Sequence, residues 1–377
     1  MRSPNIRYLP AVDHLRAYAA LLIVFYHGLH LFSYHARFHQ DFGIDHWLQP
    51  ANPLLAALAE GHTAVALFMV LSGFILTFGA LENGVSSWAF IRNRLLRTYP
   101  LFLLLVFAGI SAFPDRFTWA GFVQTVGGFG NLPGALVTPP FSSMLWTIAI
   151  EWQFYLLFPL LVPVLRDNWS RQVLGIIAIL LLFRSVAVLA GANARDLGYM
   201  TIVGRLDQFL IGMWAAWAFR TWPLSRRTGA LLAGAALVSV IAALALLNAA
   251  GGWPAAPAWK IAWPTVEAVL WAAFVIGYVA AANIASGLWS RVIARIGEIS
   301  YSIYLVHFIV IWMLVRYGLA LAFTGRIAVD ALLETGLVAF PVTLAISGLT
   351  YHFVERPFLR LRGRYHRDAI GGDEKVA

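Results

Sequence analysis

The chain has no cysteine and few charged residues. The lack of thiols excludes disulfides, thiolate metal sites and a cysteine nucleophile. Charged residues make up 12% of the 377 positions, whereas soluble domains carry about 25%. Hydrophobic residues make up 60%, and the mean hydropathy is +0.74. This balance identifies an integral membrane protein, so the net charge of +9 is to be interpreted as a topology signal and does not indicate a nucleic-acid partner.

Stretches of about 20 mostly apolar residues predict an all-α bundle of about ten transmembrane helices. The predicted spans are approximately 12–32, 62–81, 98–113, 144–165, 172–191, 203–221, 229–249, 263–285, 299–322 and 333–353. The first stretch is long enough to cross a bilayer, contains Arg16 and lacks a small-residue cleavage site. We therefore interpret it as a helix of the mature protein and not as a signal peptide.

Basic residues predict the orientation of these spans, because cytoplasmic loops carry an excess of Lys and Arg. With a cytoplasmic N-terminus, the cytoplasmic segments hold 18 of the 27 basic residues and the opposite loops hold 6. Both termini are therefore predicted to be cytoplasmic. Residues 1–360 form the predicted transmembrane domain, and 361–377 a short tail that is first basic and then polar.

Two loops on the predicted outer side are long, residues 33–61 and 114–143. The second contains GGFGNLPGALVTPPF, in which clustered Gly and Pro prevent a regular helix. Such a segment fits a lid or re-entrant loop, and it equally fits a surface turn. The chain shows no clear internal repeat.

The first predicted span, DHLRAYAALLIVFYHG, carries ionisable residues in an apolar run. Asp13 and Arg16 are spaced to pair one helical turn apart, as are His27 and His30. Arg16 and His27 share a helix face at about 16 Å of axial separation. Either Arg16 reaches the lipid headgroups and His27 is a packed histidine, or this face joins an anion-binding cation to a proton acceptor.

A basic triplet, Arg92, Arg94 and Arg97, lies in WAFIRNRLLRTYP after the second span. Arg94 and Arg97 are one helical turn apart. Positive-inside topology alone accounts for basic residues here. Guanidinium groups at a helix entrance also suit phosphate oxygens, which they bind with two hydrogen bonds.

Carboxylates inside spans are costly, so each needs a cation or a proton-transfer role. Glu151, with Tyr155 four residues on, lies deep in the fourth predicted span, and we favour a functional role for it. Arg205 and Asp207 lie at the predicted outer mouth of the sixth span, where a structural ion pair is at least as good an explanation.

The segment IGEISYSIYLVHF places Ser300, Tyr304 and His307 on one polar stripe of the ninth predicted span. Hydrogen bonding between helices explains such a stripe. A role in the path of a substrate explains it equally well.

Six segments together resemble acyltransferase family 3, the integral-membrane acyltransferases. They are Arg16 followed after ten residues by His27, FMVLSGFIL, the pair Arg94 and Arg97, LWTIAIEWQFYLLFP, IGEISYSIYLVH and VERPF. The resemblance covers nearly the whole chain. It implies a bundle of about ten helices in a bacterial inner membrane that acylates carbohydrates or other hydroxyl-bearing molecules at the outer face, with cytoplasmic acyl-coenzyme A as cosubstrate. The family's essential arginine and histidine then correspond to Arg16 and His27, and its inner-face pair to Arg94 and Arg97.

Two features depart from that family. Some members carry two glycines, three residues and a proline in an outer loop, whereas GGFGNLP has four intervening residues, so Gly127, Gly128 and Pro133 are not assigned that role. Other members carry a fused extracellular esterase-like domain. None is expected in this chain, which would act alone or with a separate extracytoplasmic transferase.

These observations predict a membrane-bound O-acyltransferase that moves an acyl group, acetyl by default, from acyl-coenzyme A. Arg16, Arg94 and Arg97 would bind the donor phosphates, and His27 would act as general base or acyl carrier with Glu151 beside it. Further site candidates are Tyr155, Arg205, Asp207, Tyr304 and His307. No metal, permanently bound cofactor or nucleic acid is expected.

Two other classes of function remain open. The alternative is a secondary transporter of an anionic solute with an intramembrane proton relay, against which stands the absence of evident inverted repeats. A purely structural or receptor role leaves the alignment of Arg16, His27 and Glu151 unexplained. O-antigen, exopolysaccharide, a lipid-linked sugar and a secondary metabolite all fit as acceptor.

Overall fold

The computed structural model describes residues 8–81, 85–166, 168–282, 287–319 and 321–365, and these ranges contain helices and no β-strand. The first half holds α1 Pro10–Phe38, α2 Pro53–Ala59, α3 Ala64–Ala80, α4 Ser87–Ala112, α5 Trp119–Gln124, α6 Leu145–Leu165, α7 Trp169–Leu189 and α8 Ala194–Met200. The second half holds α9 Ile202–Thr221, α10 Arg226–Ala249, α11 Trp263–Ala281, α12 Leu288–Glu298, α13 Ser300–Arg316, α14 Ile327–Glu334, α15 Phe340–Thr350 and α16 Arg356–Leu359. The all-α prediction is confirmed.

Eight helical stretches of the described chain are long and apolar enough to cross a membrane. They are α1, Gly61–Ala80, α4, α6, α7, α10, α11 and the continuous stretch Ile327–Leu359. A ninth is obtained if α12 and α13, which meet at a 69° bend, count as one span. The predicted span at 203–221 forms α9 but lies outside this set, because Arg205, Asp207 and Gln208 lower its hydropathy. The count of ten stays a prediction.

Two predicted boundaries were wrong. The segment after the second span was interpreted as a loop up to residue 98, but α4 begins at Ser87. Its basic and apolar residues alternate with helical period, so Leu95 packs on the core while Arg92 is exposed. The predicted span 299–322 was too long at its C-terminal end: the helix begins at Ser300, after the bend that follows α12, and ends at Arg316. Of the predicted tail, 366–377 lies outside the described residues.

Helix α1 lies at the centre of the bundle, in contact with α3, α11, α12, α13 and α14. Glycines allow several helix pairs to approach closely. A Cβ added at Gly73 of α3 would lie 2.1 Å from the carbonyl oxygen of Phe209 in α9, and one at Gly212 of α9 would lie 2.2 Å from that of Val70. Gly297 at the end of α12 likewise touches the backbone of Asp13. These contacts place α9 and α12 directly beside the helices that carry the predicted site.

The two ends of the bundle are built differently. At one end, named here the arginine end, the Asn93 amide donates to the carbonyl oxygen of Gly363 at 2.7 Å. At the other, the tryptophan end, the Trp47 indole donates to Glu60 at 2.7 Å, and Asn248 donates to the carbonyl oxygen of Leu48 at 2.9 Å. Segments predicted to lie on one side of the membrane therefore meet at one end, while the side that faces the cytoplasm stays a prediction.

The segment 114–143 is tied to the bundle by hydrogen bonds. Tyr99 of α4 donates to the carbonyl oxygen of Val126 at 2.6 Å, and Gln153 of α6 donates to that of Gly128 at 2.9 Å. Gly128 has a φ of 89° and interrupts the π-helical turn Thr125–Phe129. These bonds fix the segment against α4 and α6 in this structure.

Candidate active site

A cavity at the arginine end, named here the arginine cavity, contains about 850 Å³ of empty space, part of it open to solvent. Helices α1, α3, α4, α6 and α13 all contribute to its wall. Its polar lining residues are Arg16, Ser72, Arg94, Arg97, Thr98, Thr147, Glu151, Tyr155, Ser300, Tyr301 and Tyr304. Six of the ten predicted site residues are thus brought together: Arg16, Arg94, Arg97, Glu151, Tyr155 and Tyr304.

The three arginines are only loosely engaged by carboxylates. Arg16 lies 3.4 Å from Asp13, and Arg97 lies 3.6 Å from Glu355. Arg94 stacks over the ring of Tyr155 at 5.6 Å, and its Nε is buried with no hydrogen-bond partner among the described residues. Tight charge-assisted pairs measure about 2.7–2.9 Å. The guanidinium N–H groups are therefore available to an anionic ligand in the cavity.

Glu151 lines this cavity, and within the described part of the chain no hydrogen bond or ion pair joins it to His27. Its Oε1 accepts hydrogen bonds from Ser72 at 3.2 Å and from the Tyr155 hydroxyl. The structure thus places Glu151 with Ser72 and Tyr155 at the arginine end, and its predicted role toward the imidazole of His27 stays a prediction. Because Glu151 lines the arginine cavity together with the three arginines, its carboxyl group contributes to the charge of that cavity.

His27 is instead paired with His307. The two rings approach at 3.0 Å, between His307 Nε2 and His27 Nδ1. His307 Nδ1 lies 3.0 Å from the carbonyl oxygen of Ile303, which can only accept. His27 Nδ1 likewise lies 3.1 Å from the carbonyl oxygen of Ile23. In neutral rings both Nδ1 atoms therefore carry the proton, and the His27 Nδ1–H is shared between Ile23 and His307 Nε2. His27 Nε2 then keeps its lone pair, and no described residue bonds to it.

Tyr304 connects the arginine cavity to this histidine pair. Its hydroxyl accepts a hydrogen bond from Thr147 at 3.0 Å inside the cavity, and its ring lies 5.8 Å from that of His307. Ser300 also lines the cavity. The predicted stripe is therefore one continuous face, which leads from the cavity toward His27.

Arg205 and Asp207 do not pair with each other. Arg184 binds Asp207 at 3.0 Å, and both side chains are fully buried. Arg205 donates to Gln208 at 3.0 Å and lies 3.7 Å from Glu267. Residues two apart on a helix point about 200° from each other, so two separate pairs form. The partners Arg184 and Glu267 come from α7 and α11, which spacing within α9 cannot indicate.

Sequence reasoning also missed a cluster at the tryptophan end. Glu60 is fully buried and accepts hydrogen bonds from Trp47, Asn248 and the backbone N–H of Trp253, with His62 Nε2 at 3.0 Å. The sequence contained only a lone EGH at residues 60–62, where the predicted loop 33–61 meets the next predicted span. Within the described ranges, no group of three or more acidic or histidine side chains is placed to hold a metal.

A bundle of apolar helices around a charged cavity and a buried histidine pair defines a multi-pass membrane protein with a site inside the bundle. The acyltransferase-3 family of acyltransferase domains matches residues 9–352, so this chain belongs to that family and is an acyltransferase.

Two relatives support this assignment. Acyltransferase MdmB of Streptomyces mycarofaciens is 29% identical over 405 residues, which cover 98% of this chain and 96% of MdmB. O-acetyltransferase OatA of Staphylococcus aureus is 27% identical over 253 residues, which cover 59% of this chain and 36% of OatA. No solved structure matches the chain at a significant level.

Proposed function

We propose that this protein transfers an acyl group, acetyl by default, from cytoplasmic acyl-coenzyme A to a hydroxyl group at the outer face of a bacterial inner membrane. The observation that carries the proposal is a row of polar side chains that marks a route from the arginine cavity to the histidine pair. Arg16, Arg94, Arg97 and Tyr304 line the cavity, and the ring of Tyr304 lies 5.8 Å from that of His307, which is paired with His27; neither histidine is among the lining residues. An acyl donor with phosphates at one end and a thioester at the other fits such a route.

The arginine end suits the donor's phosphates. Three guanidinium groups line a cavity of about 850 Å³, and planar guanidinium groups bind phosphate oxygens with paired hydrogen bonds. Because α1 is continuous from Pro10 to Phe38, Arg16 and His27 are about 16 Å apart along its axis. An extended pantetheine arm spans that distance, so the thioester would lie near His27 while the phosphates stay at the arginines.

The chemistry requires one proton acceptor. The acceptor's hydroxyl oxygen attacks the thioester carbonyl carbon, and its proton passes to His27 Nε2. A C–O bond forms, the C–S bond breaks, and the proton on His27 then passes to the departing coenzyme A sulfur. The hydrogen bonds of His27 Nδ1 to Ile23 and His307 keep the lone pair on Nε2, the atom for which no described residue supplies a hydrogen bond.

The acceptor proposed here is a carbohydrate or a similar hydroxyl-bearing molecule. The name of the relative OatA, an O-acetyltransferase, supports transfer to oxygen. The protein would act alone or with a separate extracytoplasmic transferase. Transport of an anionic solute is less well supported, because transporters with inverted repeats break helices in matching positions, and the described ranges contain a single bent pair.

The test uses the purified protein in proteoliposomes with labelled acetyl-coenzyme A and a panel of methyl glycosides. We expect label to move to a glycoside, and His27→Gln to lower the initial rate about 10²- to 10⁴-fold at saturating donor, because an amide cannot take the proton. His35→Gln, two turns further along α1, is the matched control. Near-normal turnover of His27→Gln would contradict the role of His27, and absence of any acetyl-coenzyme A binding would contradict the proposed donor.

A further inference from the structure

A fourth arginine, Arg362, lies near the arginines of the proposed donor site. It belongs to the segment 360–365, which follows α16 at the arginine end of the bundle. In the sequence it is one of several basic residues of the predicted tail. It is not among the residues that line the arginine cavity, and the proposed function gives it no role.

Reciprocal hydrogen bonds hold this segment against α4. The Asn93 amide nitrogen donates to the carbonyl oxygen of Gly363 at 2.7 Å, and the Gly363 N–H donates to the Asn93 amide oxygen at 3.1 Å. Asn93 is fully buried, so this pairing is part of the folded bundle. The residue that follows Arg362 is thus bound to the residue that precedes Arg94.

Aromatic packing links the same segment to Arg94. Tyr365 is fully buried, and its ring meets that of Phe90 edge to face at 5.4 Å. The guanidinium carbon of Arg94 lies 5.4 Å from the centroid of the Phe90 ring. The backbone N–H of Ser86 also donates to the carbonyl oxygen of Tyr365 at 2.8 Å. The segment is therefore packed on the first turns of α4, which lead to Arg94.

The terminal N–H groups of Arg362 are open to a ligand. Its Nε donates to the carbonyl oxygen of Leu359 at 3.1 Å, and no described residue bonds to its two Nη atoms. These two nitrogens carry four N–H donors. Because the side chain is only partly buried, they can be reached by a ligand that enters from the solvent at the arginine end.

Arg362 lies in an environment that is already positive. Burial, and after it the charges of Arg97 and Arg94, lower the pKa of Arg362 to about 10. The guanidinium group nevertheless stays protonated at neutral pH, so these like charges repel one another. The carboxylate of Glu355 approaches Arg97 only to 3.6 Å. An anion bound among the three arginines would remove the repulsion.

The proposed donor carries phosphate at two separate places. In acyl-coenzyme A, the pantetheine arm leaves one side of a diphosphate, and the ribose on the other side carries a 3′-phosphate. The proposed route directs the thioester along α1 toward His27. The 3′-phosphate then lies on the opposite side of the diphosphate, toward the surface of the arginine end. The segment 360–365 lies at that surface, where Arg360, Leu361 and Arg364 are exposed.

We propose that Arg362 binds the ribose 3′-phosphate of the acyl donor with its two Nη nitrogens, while Arg94 and Arg97 bind the diphosphate. This inference rests on the proposed function, since it takes acyl-coenzyme A as the donor. Arg362 is a specificity-determining residue in this assignment, because it distinguishes coenzyme A from its 3′-dephospho form. Asn93 positions it by holding Gly363.

Calorimetry on the detergent-purified protein tests the assignment with two probes, acetyl-coenzyme A and acetyl-3′-dephospho-coenzyme A. We expect the wild type to bind acetyl-coenzyme A about 10-fold or more tightly than the dephospho form, because the charge-assisted hydrogen bonds to the 3′-phosphate are absent from the latter. Arg362→Gln should weaken binding of acetyl-coenzyme A by about the same factor and leave binding of the dephospho form unchanged, which also shows that the variant is folded.

Two further variants serve as controls. Arg364→Gln, which removes an exposed arginine two residues further on, should keep the preference of the wild type. The double variant Arg94→Lys and Arg97→Lys should weaken binding of both probes and keep their ratio, because the diphosphate is common to both.

Equal affinity of the wild type for the two probes would overturn this inference and leave the proposed donor standing. An Arg362→Gln variant that keeps the wild-type preference, or that binds both probes more weakly by the same factor, would also overturn it. Failure of the wild type to bind either probe would contradict the proposed donor, and this inference with it.

Discussion

His307 Nε2 lies 3.0 Å from His27 Nδ1, across the contact between α13 and α1. The pair is 280 residues apart in the chain. His307 is fully buried, and its other nitrogen is bonded to its own helix. Because the carbonyl oxygen of Ile23 also lies 3.1 Å from His27 Nδ1, the proton of the neutral ring lies on Nδ1, and the ring nitrogen that remains available on His27 is Nε2.

Replacing His307 tests this positioning role. His307→Phe removes one of the two acceptors near His27 Nδ1, and the carbonyl oxygen of Ile23 at 3.1 Å remains. We expect kcat to fall about 10- to 100-fold with the KM for acetyl-coenzyme A unchanged, since the imidazole loses the partner that orients it across the contact between the two helices. His307→Gln, whose amide oxygen can accept, should recover most of the rate. Phe308→Leu, at a neighbour that touches the His27 ring without a hydrogen bond, is the control. Equal rates for the Phe and Gln variants would show that His307 only fills space.

The arginine pair is tested by charge-preserving changes. The double variant Arg94→Lys and Arg97→Lys keeps the positive charge but loses paired hydrogen bonding. We expect the Kd for acetyl-coenzyme A to rise about 10-fold or more with normal membrane insertion. Arg92→Lys, at the exposed neighbour, should leave the Kd unchanged. Unaltered affinity of the double variant would assign these arginines to topology alone.

The buried pair of Arg184 and Asp207 should contribute to stability and not to chemistry. Arg184→Met leaves Asp207 buried without its cation, and such a loss costs about 3–5 kcal/mol. We expect a clearly lower midpoint of thermal unfolding in detergent, and recovery in the double variant Arg184→Met with Asp207→Leu, which buries no charge. A single variant as stable as the wild type would show that Thr265 and the backbone satisfy Asp207 without the arginine.

The orientation of the bundle is tested with reporter fusions. Fusions after Leu81, Arg166 and Arg227 should report the cytoplasm, and fusions within 33–61 and 114–143 the outer side, because basic residues favour the cytoplasmic segments by 18 to 6. The predicted cytoplasmic C-terminus, Ala377, lies outside the described residues and is tested by the same method. One fusion in an outer segment that reports the cytoplasm would overturn the arrangement.

The fold class could be predicted from the sequence because long apolar runs leave few alternatives in a bilayer. The ends of the helices were harder to predict from the sequence. Apolarity stops near residue 98, whereas the helix that contains Arg94 begins at Ser87, because an amphipathic helix continues past the hydrocarbon region. Beside the bend before Ser300, Gly297 packs on the backbone of Asp13, a contact that no local pattern contains.

The residues of the candidate site were also predictable only in part. Arg16 with His27, and Tyr304 with His307, could be placed on common faces because each pair lies on one helix. Partners on different helices could not be predicted: Glu151 is hydrogen-bonded to Ser72 of another helix, and His27 is paired with His307. The hydrogen-bond donors to Glu60 come from Trp47, Asn248 and Trp253, which lie far apart in the sequence, so only the folded chain assembles them.

Helix α1 runs unbroken from Pro10 to Phe38 and carries Arg16 near one end and His27 toward the other. The number of residues between Arg16 and His27 therefore sets both their distance along the helix axis and their relative rotation about it. One residue inserted between these positions would rotate His27 by about 100° and move it by about 1.5 Å, which breaks its alignment with His307 while barely changing its depth. The chain can change the side chains between Arg16 and His27, but it cannot change their number.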